Sequence, residues 1–183
     1  MTKIINTTVI KNLNPCDDRF DNWIKYYNDF EGNLNDFMAL DKITFSDKIW
    51  VGVRVLNRNQ QIEFACQCAE LVLPIYEEYN SDSSVLKTAI NAARTAKASF
   101  AAAFAAEAAA KDAAKAAAKA YAAAKAAYFA ADAAAFAAAY AAKVAYAAKA
   151  ANASYAAAKA AARADPKMET TILNIFRVLM PNS

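Results

Sequence analysis

Residues 94–163 are mostly alanine, interrupted every few positions by a Lys, an aromatic ring or, less often, an acid, and they contain no glycine, proline, histidine or cysteine. Alanine loses no side-chain entropy on ordering, so a tract of this kind is helical in almost any context. Drawn as one straight rod it would run about 105 Å at roughly 1.5 Å per residue. Such a rod would leave Phe104, Tyr121, Tyr128, Phe136, Tyr140, Tyr146 and Tyr155 without a covering surface. At about 100° per residue these rings do not fall on one stripe, which argues against a two-stranded coiled coil. The tract is therefore expected to fold into two or three closely packed helices. The expected breaks are at Lys111 and Asp112, at Asp132, and at residues 152–154, where Asp or Asn can cap a new start. Facing alanines allow a close helix approach, so the methyl groups form a packing surface.

The remainder of the chain is also read as helical. With 2 Gly and 4 Pro in 183 residues, the turn chemistry needed for many short strands is missing. The fold class is all-α, a compact helical bundle in one domain: an acidic helical part over residues 1–93, the Ala-rich tract over 94–164, and a C-terminal amphipathic helix over 165–183. Residues 1–13 are weakly patterned, a short strand or an irregular arm. Asn14 and Pro15 then open a helix whose face is Phe20, Trp23, Ile24 and Tyr27 and which Gly32 ends. Another turn or two is expected near Asp36. "FSDKIWVGVRVL" is read as a helix capped by Ser46 or Asp47, with Ile49, Trp50, Val53 and Leu56 on one side. Asn57 and Gln60 have capping-box spacing and open a long helix with Ile62, Cys66, Ala69, Leu73 and Tyr76 inward, in which Pro74 kinks the helix or begins a new segment. Residues 80–84 form a loop, and the chain turns helical again from Val85. Asp165 and Pro166 start a last helix whose face, Met168, Ile172, Ile175, Phe176 and Leu179, must pack back on the domain.

Charge is unevenly spread: residues 1–93 hold 9 basic and 13 acidic side chains, and residues 94–163 hold 10 and 3. The two parts are expected to attract each other within the fold. The absence of histidine removes Ser-His-Asp and Cys-His catalysis and histidine-ligated metals, and two glycines cannot build a phosphate-cradling loop. Asp17, Asp18 and Asp21 sit where acids favour a helix dipole, so no metal is assigned to them. The cysteines Cys16, Cys66 and Cys68 have no framework spacing and read as buried small hydrophobes. No cofactor is implied. A charge every few residues makes the tract unfit as a membrane span, and "MTKIINTTVIKNLNP" lacks the pattern of a secretory signal, so the expected compartment is the cytoplasm.

Trp50 and Arg54, then "EFACQCAELVLPIYEEY", an Asp-containing loop and "AINAAR", followed by an Ala/Tyr-rich helix, resemble a bacterial family of immunity proteins linked by gene context to polymorphic toxins. The resemblance spans roughly residues 46–163, and departs where members often carry Arg-Pro-Arg and this chain has Ser84, Val85 and Leu86. It implies an all-helical fold and toxin neutralisation, and supplies no catalytic residue. The expected function is accordingly non-enzymatic binding of a protein partner, a toxin or other effector, with Trp23, Trp50, Arg54, Tyr121 and Tyr128 as candidate contacts. The alternative is a nucleic-acid-associated protein using the ridge of Lys111, Lys115 and Lys119, at i, i+4 and i+8, with Lys125 beside it.

Overall fold

The structure is a computed structural model that describes residues 4–79, 83–95 and 147–180. It begins with capping. A two-residue strand β1 (Ile5–Asn6) leads directly into α1 (Thr7–Asn12), whose first turn is closed by the Asn6 side chain accepting from the Val9 N–H at 3.0 Å. Residues 1–13, expected as a strand or irregular arm, thus contain a capped helix. Asn14 does not open the next helix. It lies at φ 56°, in the left-handed region, and its N–H donates to the Lys11 carbonyl at 3.0 Å, so it closes α1 instead. A residue held there cannot take the extended backbone of an N-cap, and α2 (Asp17–Tyr27) starts after Cys16.

Trp23 is the buried ring of α2, 5.7 Å from the Phe30 centroid edge-on and 5.9 Å from Phe37. Phe20 and Tyr27 are half-buried beside it, while Ile24, expected on the same face, is exposed. Gly32 does not end α2. It belongs to β2 (Glu31–Gly32), which pairs antiparallel with β1 in the register Ile5 to Gly32 and Asn6 to Glu31. A Cβ at Gly32 would lie 2.8 Å from Phe30 Cζ, so the close approach accounts for the residue. Next, α3 (Leu34–Ala39) carries a full capping box between Asn33 and Asp36.

The β-branched segment after it is helical: α4 (Phe45–Val55) is capped by Thr44 rather than by Ser46 or Asp47, with Thr44 Oγ1 accepting from the Asp47 N–H at 3.2 Å. The expected capping box opens α5 (Arg58–Tyr79), with Gln60 N–H to Asn57 Oδ1 at 3.0 Å and Asn57 N–H to Gln60 Oε1 at 2.9 Å. Ile62, Cys66 and Ala69 are buried as expected, but so are Phe64, Ala65, Cys68 and Val72. Helix α5 is covered on several sides, by α6 (Ser84–Thr95), α7 (Ala147–Ala164) and α8 (Met168–Leu179). It runs through Pro74, which is exposed and starts no new helix.

Of the Ala-rich tract, α6 holds the first residues and α7 the last. The expected breaks at Lys111, Asp112 and Asp132 lie outside the described residues. The one expected at residues 152–154 does not occur, because α7 is continuous there and Ser154 is fully buried, its hydroxyl donating to the Gln61 carbonyl at 3.0 Å. A side chain that finds a partner on the neighbouring helix has no need to cap its own. Ala151, Ala157, Ala158 and Ala161 pack inward around it. Arg94, at the end of α6, donates to Glu63 at 3.0 Å and to both oxygens of Glu70 at 2.8 and 2.9 Å. Its pKa is raised, first by the bonds to Glu70, and this bidentate pair joins the basic tract to acidic α5. Helix α8 begins at Met168, two residues beyond Pro166, and buries Ile172, Ile175 and Phe176, with the Phe176 ring centroid 4.4 Å from that of Phe64 and tilted by 30°. Among the described residues no helix is long and apolar enough to cross a membrane.

Gly52 lies where α4 meets α8: a Cβ there would be 2.6 Å from both Met38 Cε and Phe176 Cζ. Gly52→Ala gains about 1 kcal/mol of helix propensity but overpacks a fixed ring at about 1–3 kcal/mol, so a net loss of stability is expected in denaturant titration. A second expectation concerns Asp41. Tyr27 Oη donates to its carboxylate at 2.6 Å, which, ahead of the bond to Lys42, lowers its pKa from 3.8 to about 2. The stabilisation from a depressed carboxylate is present above the unfolded pKa and lost as pH falls through the folded one. Tyr27→Phe should raise the Asp41 pKa toward 3.8 in an NMR titration, and its stability deficit should shrink as the pH falls from about 4 to about 2.

Candidate functional site

Helix α4 presents Ser46, Trp50 and Arg54 at i, i+4 and i+8, one stripe along its length, and α7 presents Asn152, Tyr155 and Lys159 at i, i+3 and i+7. The two stripes meet. Ser46 Oγ and Tyr155 Oη share a hydrogen bond of 2.6 Å, and an Arg54 Nη donates to Asn152 Oδ1 at 2.6 Å. The link between α1 and α2 and the first turns of α2 close the third side, leaving a solvent-open cleft of about 670 Å³.

Arg54 is the central group. Its guanidinium lies 4.0 Å from the centroid of the Trp50 ring, and its other Nη donates to the Trp50 carbonyl at 3.0 Å. Desolvation pulls its pKa below the usual arginine value, while Tyr155 acts the other way. Arginine stays charged regardless. A part-buried cation is thus held in place by an aromatic face, a carbonyl and an amide, with no carboxylate paired to it among the described residues. Lys159 stands over the Tyr155 ring at 5.3 Å, likewise without a paired acid among the described residues. Arg19, at the rim, is already satisfied by Asp47 at 3.0 Å.

The cleft brings together three of the residues singled out from the sequence, in different roles. Trp50 and Arg54 line it as accessible groups. Trp23 contributes only to its floor: it is 2% exposed, and its indole N–H is spent on Thr7 Oγ1 at 2.9 Å. Tyr121 and Tyr128 lie outside the described residues, as do Lys111, Lys115, Lys119 and Lys125 of the alternative nucleic-acid ridge. Sequence reasoning missed Asn152 and Lys159 and named Tyr155 only among the uncovered rings of the tract, although the helical spacing of the three on an alanine background was visible. Asn152 had been assigned to a break. Arg19 and Cys16 carried no signal, since their places follow from how α2 crosses α4.

Guanidinium, ammonium, indole and phenol are groups that hold anions and flat apolar bodies. Among the described residues, no group of three or more His, Cys, Asp or Glu is arranged to hold a metal ion. No protein-family model matches the chain, and neither a curated protein nor a solved structure matches it.

Cys16, read from sequence as buried, is exposed and lines the cleft, whereas Cys66 and Cys68 are fully buried, and burial pushes the Cys68 thiol up. A thiol count with a chromogenic disulfide is expected to find one rapid site in the native protein and three in denaturant. More than one rapid native site would contradict this packing of α5.

Proposed function

We propose that the chain is a non-enzymatic binding protein of the immunity or inhibitor kind, which neutralises a toxin or other protein effector by occupying the surface through which that partner acts. The observation that carries this reading is the cleft between α4 and α7, where Trp50, Tyr155 and Arg54 converge. Trp, Tyr and Arg are the residue types that contribute most to protein–protein binding energy. Their setting favours the same use. Hydrogen bonds and an aromatic stack already fix their positions, so little side-chain freedom remains to be lost on association. A space of about 670 Å³ takes a few side chains of a partner, inserted as a segment into an otherwise broader contact. The resemblance to immunity proteins fits a helical inhibitor resident in the cytoplasm beside its target.

The test is co-expression with the product of the neighbouring gene. The expected outcome is relief of the growth arrest which that product causes alone, together with a complex that survives size-exclusion chromatography. Trp50→Ala should weaken the complex about 10- to 100-fold by calorimetry, the range of a central aromatic contact. The absence of both relief and a complex would reject the proposal.

A further inference from the structure

The cleft has a net requirement that the fold leaves unmet. Of its cations, Arg19 is neutralised by Asp47, and Arg54 and Lys159 have no carboxylate partner among the described residues. Arg54 has also lost part of its hydration, so an arriving anion meets a cation that is poorly screened. Trp50 and Tyr155 stand alongside and offer apolar area. We infer that the cleft recognises an acidic segment of a partner protein, with an Asp or Glu carboxylate on the free edge of Arg54 and a large apolar side chain beside it against Trp50 and Tyr155. This rests on the protein-binding reading above and names the chemistry of the partner.

Two features select a carboxylate on a peptide over a phosphate backbone. The first is the rim. Cys16 and Arg19 line the cleft, so the first turn of α2, with Asp17 and Asp18 exposed and Asp21 one turn on, borders it, and Asp47 lies inside. A polyanion running past the cleft would meet the three exposed acids of α2, Asp47 being taken up by Arg19, whereas a single carboxylate reaching inward is paired locally. The second is spacing. Asn152, which holds Arg54, and Lys159 are seven residues apart on α7, about 10 Å along the axis at roughly 1.5 Å per residue. That separation leaves room for an apolar side chain beside Trp50 and Tyr155, and Lys159, which stands over the Tyr155 ring, can take a second acid or a backbone carbonyl of the same segment.

The experiment is selection of a random peptide display library on the full-length chain. Enriched peptides should carry Asp or Glu next to a large apolar residue. As synthetic peptides they should lose at least tenfold in affinity when that acid becomes Gln, and should bind Arg54→Gln and Lys159→Gln at least tenfold more weakly. A bulky maleimide on Cys16 should block them. Among the described residues Lys159→Gln disturbs a ring contact alone, and so keeps the test decisive if Arg54→Gln fails to fold. Peptides blocked by the Cys16 label but without an acidic preference would overturn the inferred ligand while leaving the protein-binding reading intact. Peptides indifferent to the label and to both variants, or no enriched peptide, would overturn the cleft as the site. Displacement by a single-stranded oligonucleotide in place of the acidic peptide would overturn the choice of a protein segment.

Discussion

The burial of α5 under the alanine face of α7 is the contact on which the rest depends. Ala157, Ala158 and Ala161 are fully buried, and small side chains on this face allow the two backbones to approach closely. At that distance a serine hydroxyl can reach across, and Ser154 does so, donating to the carbonyl of Gln61. Gln61 in turn gives its side-chain amide to the carbonyls of Val53 and Leu56, which the end of α4 would otherwise leave without a donor. Three helices are thereby joined through one residue. Gln60 extends the link to a fourth, since its amide donates to the Leu179 carbonyl at the end of α8 while its oxygen completes the cap of α5.

The same contact explains why the cleft forms along α7. A helix with methyl groups on one face is rotationally fixed by them, and its few larger residues are then committed to particular directions. Asn152, Tyr155 and Lys159 are carried to the edge that faces α4, where Ser46, Trp50 and Arg54 meet them. The alanines supply position, and the sparse polar residues supply chemistry. A bulkier inward face would separate α7 from its neighbour and break the Arg54 to Asn152 bond that holds the guanidinium over its ring.

Much of the local structure was legible in the sequence. The helical reading of "FSDKIWVGVRVL" holds despite its β-branched residues, because Thr44 caps it and no strand among the described residues pairs with it. The Asn57 and Gln60 box and the inward face of the last helix are also found where the spacing puts them. Other signals were ambiguous for identifiable reasons. Asn14 satisfies both the preference for a helix start and the tolerance of a left-handed helix end, and the chain uses the second. Asn152 and Ser154 carry oxygens able to cap, yet both find partners on other helices, so α7 continues. Gly32 reads as a stop, but serves a close contact beside a strand pair.

By itself, the sequence determined that the described residues are mostly helical, where α5 and α6 begin, and which helix faces are apolar. These properties depend on backbone entropy and on partners within about four residues, information that lies in any short window. Tertiary structure alone decided which tryptophan is spent in the core and which lines the cleft, that Cys16 is exposed, and that Arg54 has an amide where a carboxylate would neutralise it. The groups concerned are far apart in the chain, 98 residues between Arg54 and Asn152 and 109 between Ser46 and Tyr155. Their meeting is fixed by how closely two helices pack and how each is rotated about its axis, and no local pattern encodes either quantity.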